Sequence, residues 1–287
     1  MTLQSHRLPL DAPPVGRVIA TFNAYHLGDN LLSLHFLRAL AKAHPELHFT
    51  HAAPATYLDQ LAPLTADLGN LSLSALSSST STSSLQLAPP ALNTWLGADG
   101  WFYGQPDRHD FVAIYHRHFA NLSRAIGLAC PFAGADPRDL LFDYPALAPR
   151  TQAYTGLRGI LVVNSAPQSG QFQSFSHDGF DRIIAQLHAA GHTVYTTAPS
   201  RTPDALCTLD LGSSVTDIGR LSADHITAII GVPTGPMWPT FNIWNADTIT
   251  LRLLLLDTER VEILPESTVH ANSLSLVPEI LQSRGLL

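Results

Sequence analysis

The chain has 287 residues, 45% of them hydrophobic and only 14% charged, enough apolar material for one large domain or two of about 140 residues each. Its formal net charge is −7, and of its 16 basic residues only Lys42 is lysine, so nothing in the sequence forms the basic cluster that a nucleic-acid partner requires. Cys130 and Cys207 fit no CxxC or Cys/His zinc spacing, no stretch approaches the ~18 apolar residues of a membrane span, and the N-terminus lacks a signal-peptide core. The expectation is a cytoplasmic protein with free, buried thiols.

After a leader, residues 17–23 read as a first strand that ends in a polar loop at 24–30. Leu31, Leu32, Leu34, Phe36, Leu37, Leu40 and Ala41 then have helical spacing up to Pro45. A strand is expected at 47–52, a short helix at 57–64, and an alternating strand at 71–76 that runs into a serine- and threonine-rich tract at 77–84, read as a solvated loop. Residues 92–103, with Trp95 and Trp101, are irregular, and 111–128 form a helix with Phe111, Ile114, Tyr115, Phe119, Leu122 and Ile126 on one face. Prolines and glycines cluster between 141 and 158, where a linker is placed.

The pattern then restarts. Strands are expected at 159–164, 192–197, 206–211, 226–232 and 248–256, with a polar loop at 165–171 and helices at 180–190, 214–222 and 274–286. Strand–helix alternation on this scale makes parallel sheets, and it occurs twice. The fold class is therefore α/β, with two Rossmann-like domains facing a cleft, 1–150 and 151–287, the last helix being free to pack back on the first domain.

Ligands in such folds sit where strands give way to helices, because free backbone N–H groups and the positive helix end point beyond the sheet. The stretch Gly231-Val232-Pro233-Thr234-Gly235-Pro236-Met237-Trp238 is such a junction, in which Thr234 would cap a helix, Gly235 would let the backbone approach a phosphate, and Pro236 suits a first turn. A plain strand-to-helix turn is the alternative. His116 and His118, two apart on a helix, face different ways and do not make a metal pair. There is no Asp-x-Asp pair, no G-x-G-x-x-G, no G-x-S-x-G and no P-loop, so metal-dependent transfer, nicotinamide chemistry and serine hydrolysis are disfavoured. The four tryptophans are core residues or sugar-stacking platforms.

In order and spacing these motifs resemble those of the ADP-heptose lipopolysaccharide heptosyltransferases, which are GT-B glycosyltransferases. Gly28-Asp29-Asn30-Leu31-Leu32 followed by Leu37-Arg38-Ala39-Leu40 resembles the family's G-D-x-L motif and its helix. The stretch 109–128 is similar to the helix before the domain linker, 165–171 to the small-residue phosphate loop, and 232–238 to the D-[ST]-G-x-x-H motif. The resemblance implies an inverting, metal-independent transferase without a cofactor, moving a sugar such as heptose from a nucleotide-sugar to a glycan, lipid-linked or protein acceptor, with peripheral membrane contact for a lipid-linked one.

On that reading Asp29 is the catalytic base, its other role being a helix N-cap, and His26 and Asn30 lie on the acceptor side. Ser165, Gln168, Gln171, Thr234, Gly235, Met237 and Trp238 would hold the donor, with the backbone amides of Thr234, Gly235 and Met237 turned toward its phosphates. Three departures count against turnover: Pro233 stands where the family has Asp, Trp238 where it has His, and Gln171 near its phosphate-loop lysine. They leave a second reading open, a catalytically silent relative that binds nucleotide-sugar or a partner enzyme.

Overall fold

The computed structural model describes residues 17–76, 91–97, 111–132, 134, 136–149, 158–168, 170–257 and 263–287. The leader, the 77–84 tract, Trp101 and the expected domain boundary at 150/151 lie outside the described residues. Among the described residues, 26–28, 111 and those from 140 onward form one compact unit, and the others form a second.

The N-terminal unit contains β1 (Val18–Phe22), α1 (Leu27–Ala43), β2 (His48–Pro54), α2 (Leu58–Leu61), β3 (Leu71–Leu76), β4 (Leu92–Asn93) and α3 (Phe111–Ala125), of which α1 begins and α3 has its first residue in the other unit. The strands form a parallel sheet in the order β3-β2-β1-β4. α1 is buried continuously from Asn30 to Arg38 and again at Leu40 and Ala41, so its sequence is leucine-rich instead of amphipathic. The buried guanidinium of Arg38 is neutralised by a two-pronged pair with Asp67 (Nη1–Oδ1 2.6 Å, Nη2–Oδ2 2.9 Å) and also donates to the Leu64 carbonyl. That cation holds the Asp67 carboxyl below its usual range.

Three expectations need correction here. α1 starts at Leu27, so Asp29 sits in its first turn and not in a loop or at an N-cap before Leu31. An acidic side chain is favourable there, which lets the helix begin early. β4 falls in a stretch whose sequence reads as irregular, because two residues carry no periodicity, and only the pairing Thr21↔Leu92 and Phe22↔Asn93 defines it. Both cysteines are free, but only Cys207 is buried; Cys130 lies just beyond α3 and is half-exposed. His116 and His118 do diverge: one bonds to Val112 O and Asp139, the other to Thr94 O.

The C-terminal unit adds β5 (Gly159–Val163), α4 (His177–Ala189), β6 (Val194–Thr196), β7 (Leu206–Cys207), α5 (Val215–His225), β8 (Ile226–Gly231), β9 (Leu251–Leu255), β10 (Thr268–Ala271) and α6 (Val277–Ser283). Its six strands are all parallel, ordered β10-β9-β8-β5-β6-β7. Ile160, Val162, Leu251, Leu253 and Leu255 from the sheet meet Phe180, Ile184 and Leu187 of α4 and Val277 and Leu281 of α6 in one core. Each such side chain contributes about 1.5–3 kcal/mol on burial. Caps set the helix starts: Ser176 accepts from Gly179 N, and Ser214 and Asp217 form a capping box at α5. The expected strand at 206–211 shrinks to β7, with Leu209 and Leu211 left exposed, and β10 has no sequence signal because half of its four residues are polar. No helix among the described residues is long and apolar enough to cross a membrane.

Candidate functional site

Numbered in chain order within each unit, the sheets run 3-2-1-4 and 6-5-4-1-2-3, the doubly wound arrangement. Strand order reverses between β1 and β4 in the first unit and between β5 and β8 in the second. In doubly wound folds the connections leave to opposite faces at such points, and ligands are taken in the crevice beyond the carboxyl ends of the two strands. The segments that follow these strands are 23–25, 29–30 and 93–95 in one unit, and 164–168, 170–171 and 231–238 in the other, with which 26–28 are grouped.

In the N-terminal unit a buried side-chain network holds the segment. Asn30 is fully buried; its Nδ2 donates to Tyr25 O (3.3 Å) and its Oδ1 faces His51 Nε2 (3.1 Å). Since Oδ1 can only accept, His51 carries its proton on Nε2, and Nδ1 accepts from the Thr21 hydroxyl at 3.0 Å. Complete burial lowers the His51 pKa from 6.5 to about 4, so the ring is neutral. On the other side of β1, Ser33 Oγ donates to Asp29 O (2.8 Å) and accepts from Asn23 Nδ2 (3.1 Å) and Thr94 Oγ1 (2.9 Å). Asp29 is thereby fixed through its backbone while its side chain stays half-exposed, as does that of His26. Asn30, expected to meet the acceptor, turns inward instead and spends its amide on this network. Sequence reasoning misses His51, Ser33, Thr94 and Asn23; their signal is a scatter of polar residues at the ends of otherwise apolar strands.

In the C-terminal unit side chains hold the loop after β5, and the main chain holds the exit of β8. Asn164 ends β5 with its Oδ1 accepting from Thr197 N (3.0 Å) and Ala198 N (2.8 Å), and Ser165 Oγ lies 2.8 Å from Thr197 Oγ1. Gln168 is exposed, and Gln171 Nε2 donates to Pro233 O at 3.4 Å, tying the two loops together. At the exit of β8, Gly231 has φ 153°, and a Cβ there would fall 2.2 Å from Val163 O. Thr234 N then bonds Val232 O (2.7 Å) and Met237 N bonds Thr234 O (2.9 Å).

Beyond Thr234 the chain forms a 3-10 turn, Gly235–Thr240, and not the expected α-helix, because Pro236 and Pro239 remove donors from consecutive turns. Thr234 makes no side-chain cap bond, and its Oγ1 is buried without a partner among the described residues. Of the three amides expected to face a phosphate, those of Thr234 and Met237 are spent within the turn. Met237 is fully buried, and Trp238, 5% exposed, packs on Phe111 (ring centroids 5.2 Å) and Phe241 (6.1 Å). Behind the turn, Asn242 Nδ2 donates to Pro239 O and Asn245 Nδ2 to Thr240 O, both at 2.8 Å. Arg252 is buried on β9 and donates to Asn245 Oδ1 (2.9 Å) and Ser267 Oγ (2.8 Å). Burial lowers its pKa to about 10, which leaves it charged at neutral pH.

No protein-family model matches the sequence, and no curated protein matches it. Solved structures match it in fold. The glycosyl transferase family 9 protein from Veillonella parvula aligns over 96% of this chain and 91% of its own, with a TM-score of 0.54 and 11% identity. E. coli heptosyltransferase WaaC, in a structure with ADP-2-deoxy-2-fluoro heptose, aligns over 93% and 99%, with a TM-score of 0.54 and 11% identity. E. coli ADP-heptose lps heptosyltransferase II aligns over 93% and 98%, with a TM-score of 0.52 and 13% identity. The likeness shows the fold: the α/β architecture of GT-B glycosyltransferases, with two Rossmann-like units.

Proposed function

We propose that the chain is a glycosyltransferase that moves a sugar from a nucleotide-sugar to a hydroxyl of a glycan, lipid-linked or protein acceptor, with inversion and without a metal or cofactor. The observation that supports it is the coincidence of each candidate segment with a topological switch point, together with a half-exposed Asp29 whose backbone is fixed by Ser33. Fold alone does not carry an activity. In this reading Asp29 takes the acceptor proton as general base. The loops at 164–171 and 231–238 seat the donor, with Ser165, Gln168 and the Gly235 amide as its polar groups. A heptose is the first sugar to try, since two of the fold relatives are heptosyltransferases by name.

The test is incubation with ADP-, GDP- and UDP-sugars, following binding by thermal shift and nucleoside diphosphate release in the presence of acceptor extracts. Release that falls at least about a hundredfold in Asp29→Ala is expected for a general base. The second reading, a silent relative that binds without turnover, is favoured by Pro233, by the burial of Trp238 and by the absence of any lysine or arginine from 159–181 and 221–251. Binding without release under every acceptor condition would select it, and no nucleotide-sugar binding at all would sink both.

A further inference from the structure

Tyr25 and Trp95 stand at the switch point of the N-terminal unit, one beyond β1 and the other beyond β4. The same local device places both. Asn23 Oδ1 accepts from Tyr25 N and Asn93 Oδ1 from Trp95 N, each at 3.0 Å, so an Asn-x-aromatic turn closes each of two neighbouring parallel strands. The rings stack with centroids 3.9 Å apart and planes 19° from parallel. Gly97 backs the indole so closely that a Cβ would lie 2.6 Å from its ring carbons, so any larger residue there would displace the ring. Despite this packing both residues remain half-exposed. Among the described residues, neither the Tyr25 hydroxyl nor Trp95 Nε1–H donates to a protein group, so at this half-exposed position both are open to a ligand.

We infer that Tyr25 and Trp95 form a binding platform for an uncharged sugar ring, the acceptor of the reaction proposed above. The apolar C–H face of a pyranose lies on aromatic carbon, and its hydroxyls take up the two unpartnered donors. Residues 18–37 and 91–97 contain no lysine or arginine, so the platform offers a ligand aromatic carbon and neutral donors, which suits an uncharged ring. The acceptor role rests on the transferase reading, whereas the preference for a sugar rests on the platform's own geometry.

Saturation-transfer NMR tests it on the full chain, with methyl gluco-, galacto-, manno- and heptopyranosides as probes and irradiation confined to aromatic resonances. Transfer to ring C–H protons is expected. It should weaken about tenfold in Trp95→Leu and survive in Trp95→Phe, with thermal-shift binding of nucleotide-sugars unchanged in both. Tyr25→Leu is the second variant should Trp95→Leu fail to fold. Equal transfer in folded Trp95→Leu and Tyr25→Leu, or displacement of the glycosides by adenosine, would overturn the platform. Diphosphate release by a protein that binds none of the glycosides overturns it too, and leaves the transferase standing. Glycoside transfer with no nucleotide-sugar binding would keep the platform and remove the transferase.

Discussion

The two units place comparable segments beside comparable switch points and then hold them by opposite means. Between β1 and α1 the brace is made of side chains: His51 and Thr21 on one flank, Ser33, Thr94 and Asn23 on the other, all of them buried. Because those side chains point inward and satisfy one another, Tyr25 and Asp29 are left half-exposed. Beyond β8 the brace is the main chain itself, a glycine pressed on Val163 O followed by bonds from Thr234 N and Met237 N, and the side chains that resembled a ligand motif go into the core. A side-chain brace can be loosened by protonation; a main-chain brace fails by steric overlap. The difference therefore separates the two ends experimentally.

The largest effect is expected at Gly231. A methyl group there would overlap the Val163 carbonyl at 2.2 Å, and a φ of 153° is strained for any L side chain. Neither partner can yield, because both are backbone in adjacent strands. Gly231→Ala should cost about 4 kcal/mol, read from urea unfolding of the full chain. A loss under about 1 kcal/mol would mean that the β8 exit is not braced in this way.

His51 is the corresponding point in the other unit, and its signature is pH. The folded pKa of about 4 lies below 6.5, so protonation favours the unfolded chain. The stability this ring contributes is fully present above pH 6.5 and is lost as pH falls toward 4, about 3 kcal/mol over the interval. In His51→Gln the amide can still donate to Asn30 Oδ1 but does not titrate. Urea midpoints measured from pH 7.5 to 4.5 should fall more steeply in the wild type than in the variant, in which His225 still titrates. Parallel slopes would place the wild-type titration elsewhere.

How much of the fold is legible in the sequence depends on what fixes each element. β5, β8 and β9 are legible because a strand buried on both faces must be a β-branched and leucine run, and α4 because its apolar face repeats with helical spacing. β4, β7 and β10 are missed or overextended, since strands of two to four residues are defined by their neighbours' hydrogen bonds. At the candidate sites, Gly28-Asp29 and Gly231 to Trp238 can be picked out as junctions, but their side-chain directions cannot. Asn30 pairs with His51 across 21 residues and Ser33 with Thr94 across 61, contacts that no local pattern encodes. The turn at 235–240 misleads for a local reason: Pro236 fits a helix start, yet Pro239 three residues on keeps an α-helix from forming.

The smallest expected effect falls on the residue where the two bracing styles meet. Thr234 belongs to the main-chain brace through its N–H, but its hydroxyl is buried with no hydrogen-bond partner among the described residues. Replacing such a group by an apolar one of the same shape removes a desolvation cost and nothing else, so Thr234→Val should raise stability by about 1 kcal/mol or less. An unsatisfied hydroxyl beside a candidate donor segment would gain a partner if a donor oxygen reached it. The same variant should therefore bind nucleotide-sugars severalfold more weakly while its urea midpoint rises. If stability rises and binding is untouched, the hydroxyl is a packing defect and the donor lies against 164–171 alone. If stability falls, the hydroxyl has a partner in solution and the main-chain brace extends one side chain further than the geometry indicates.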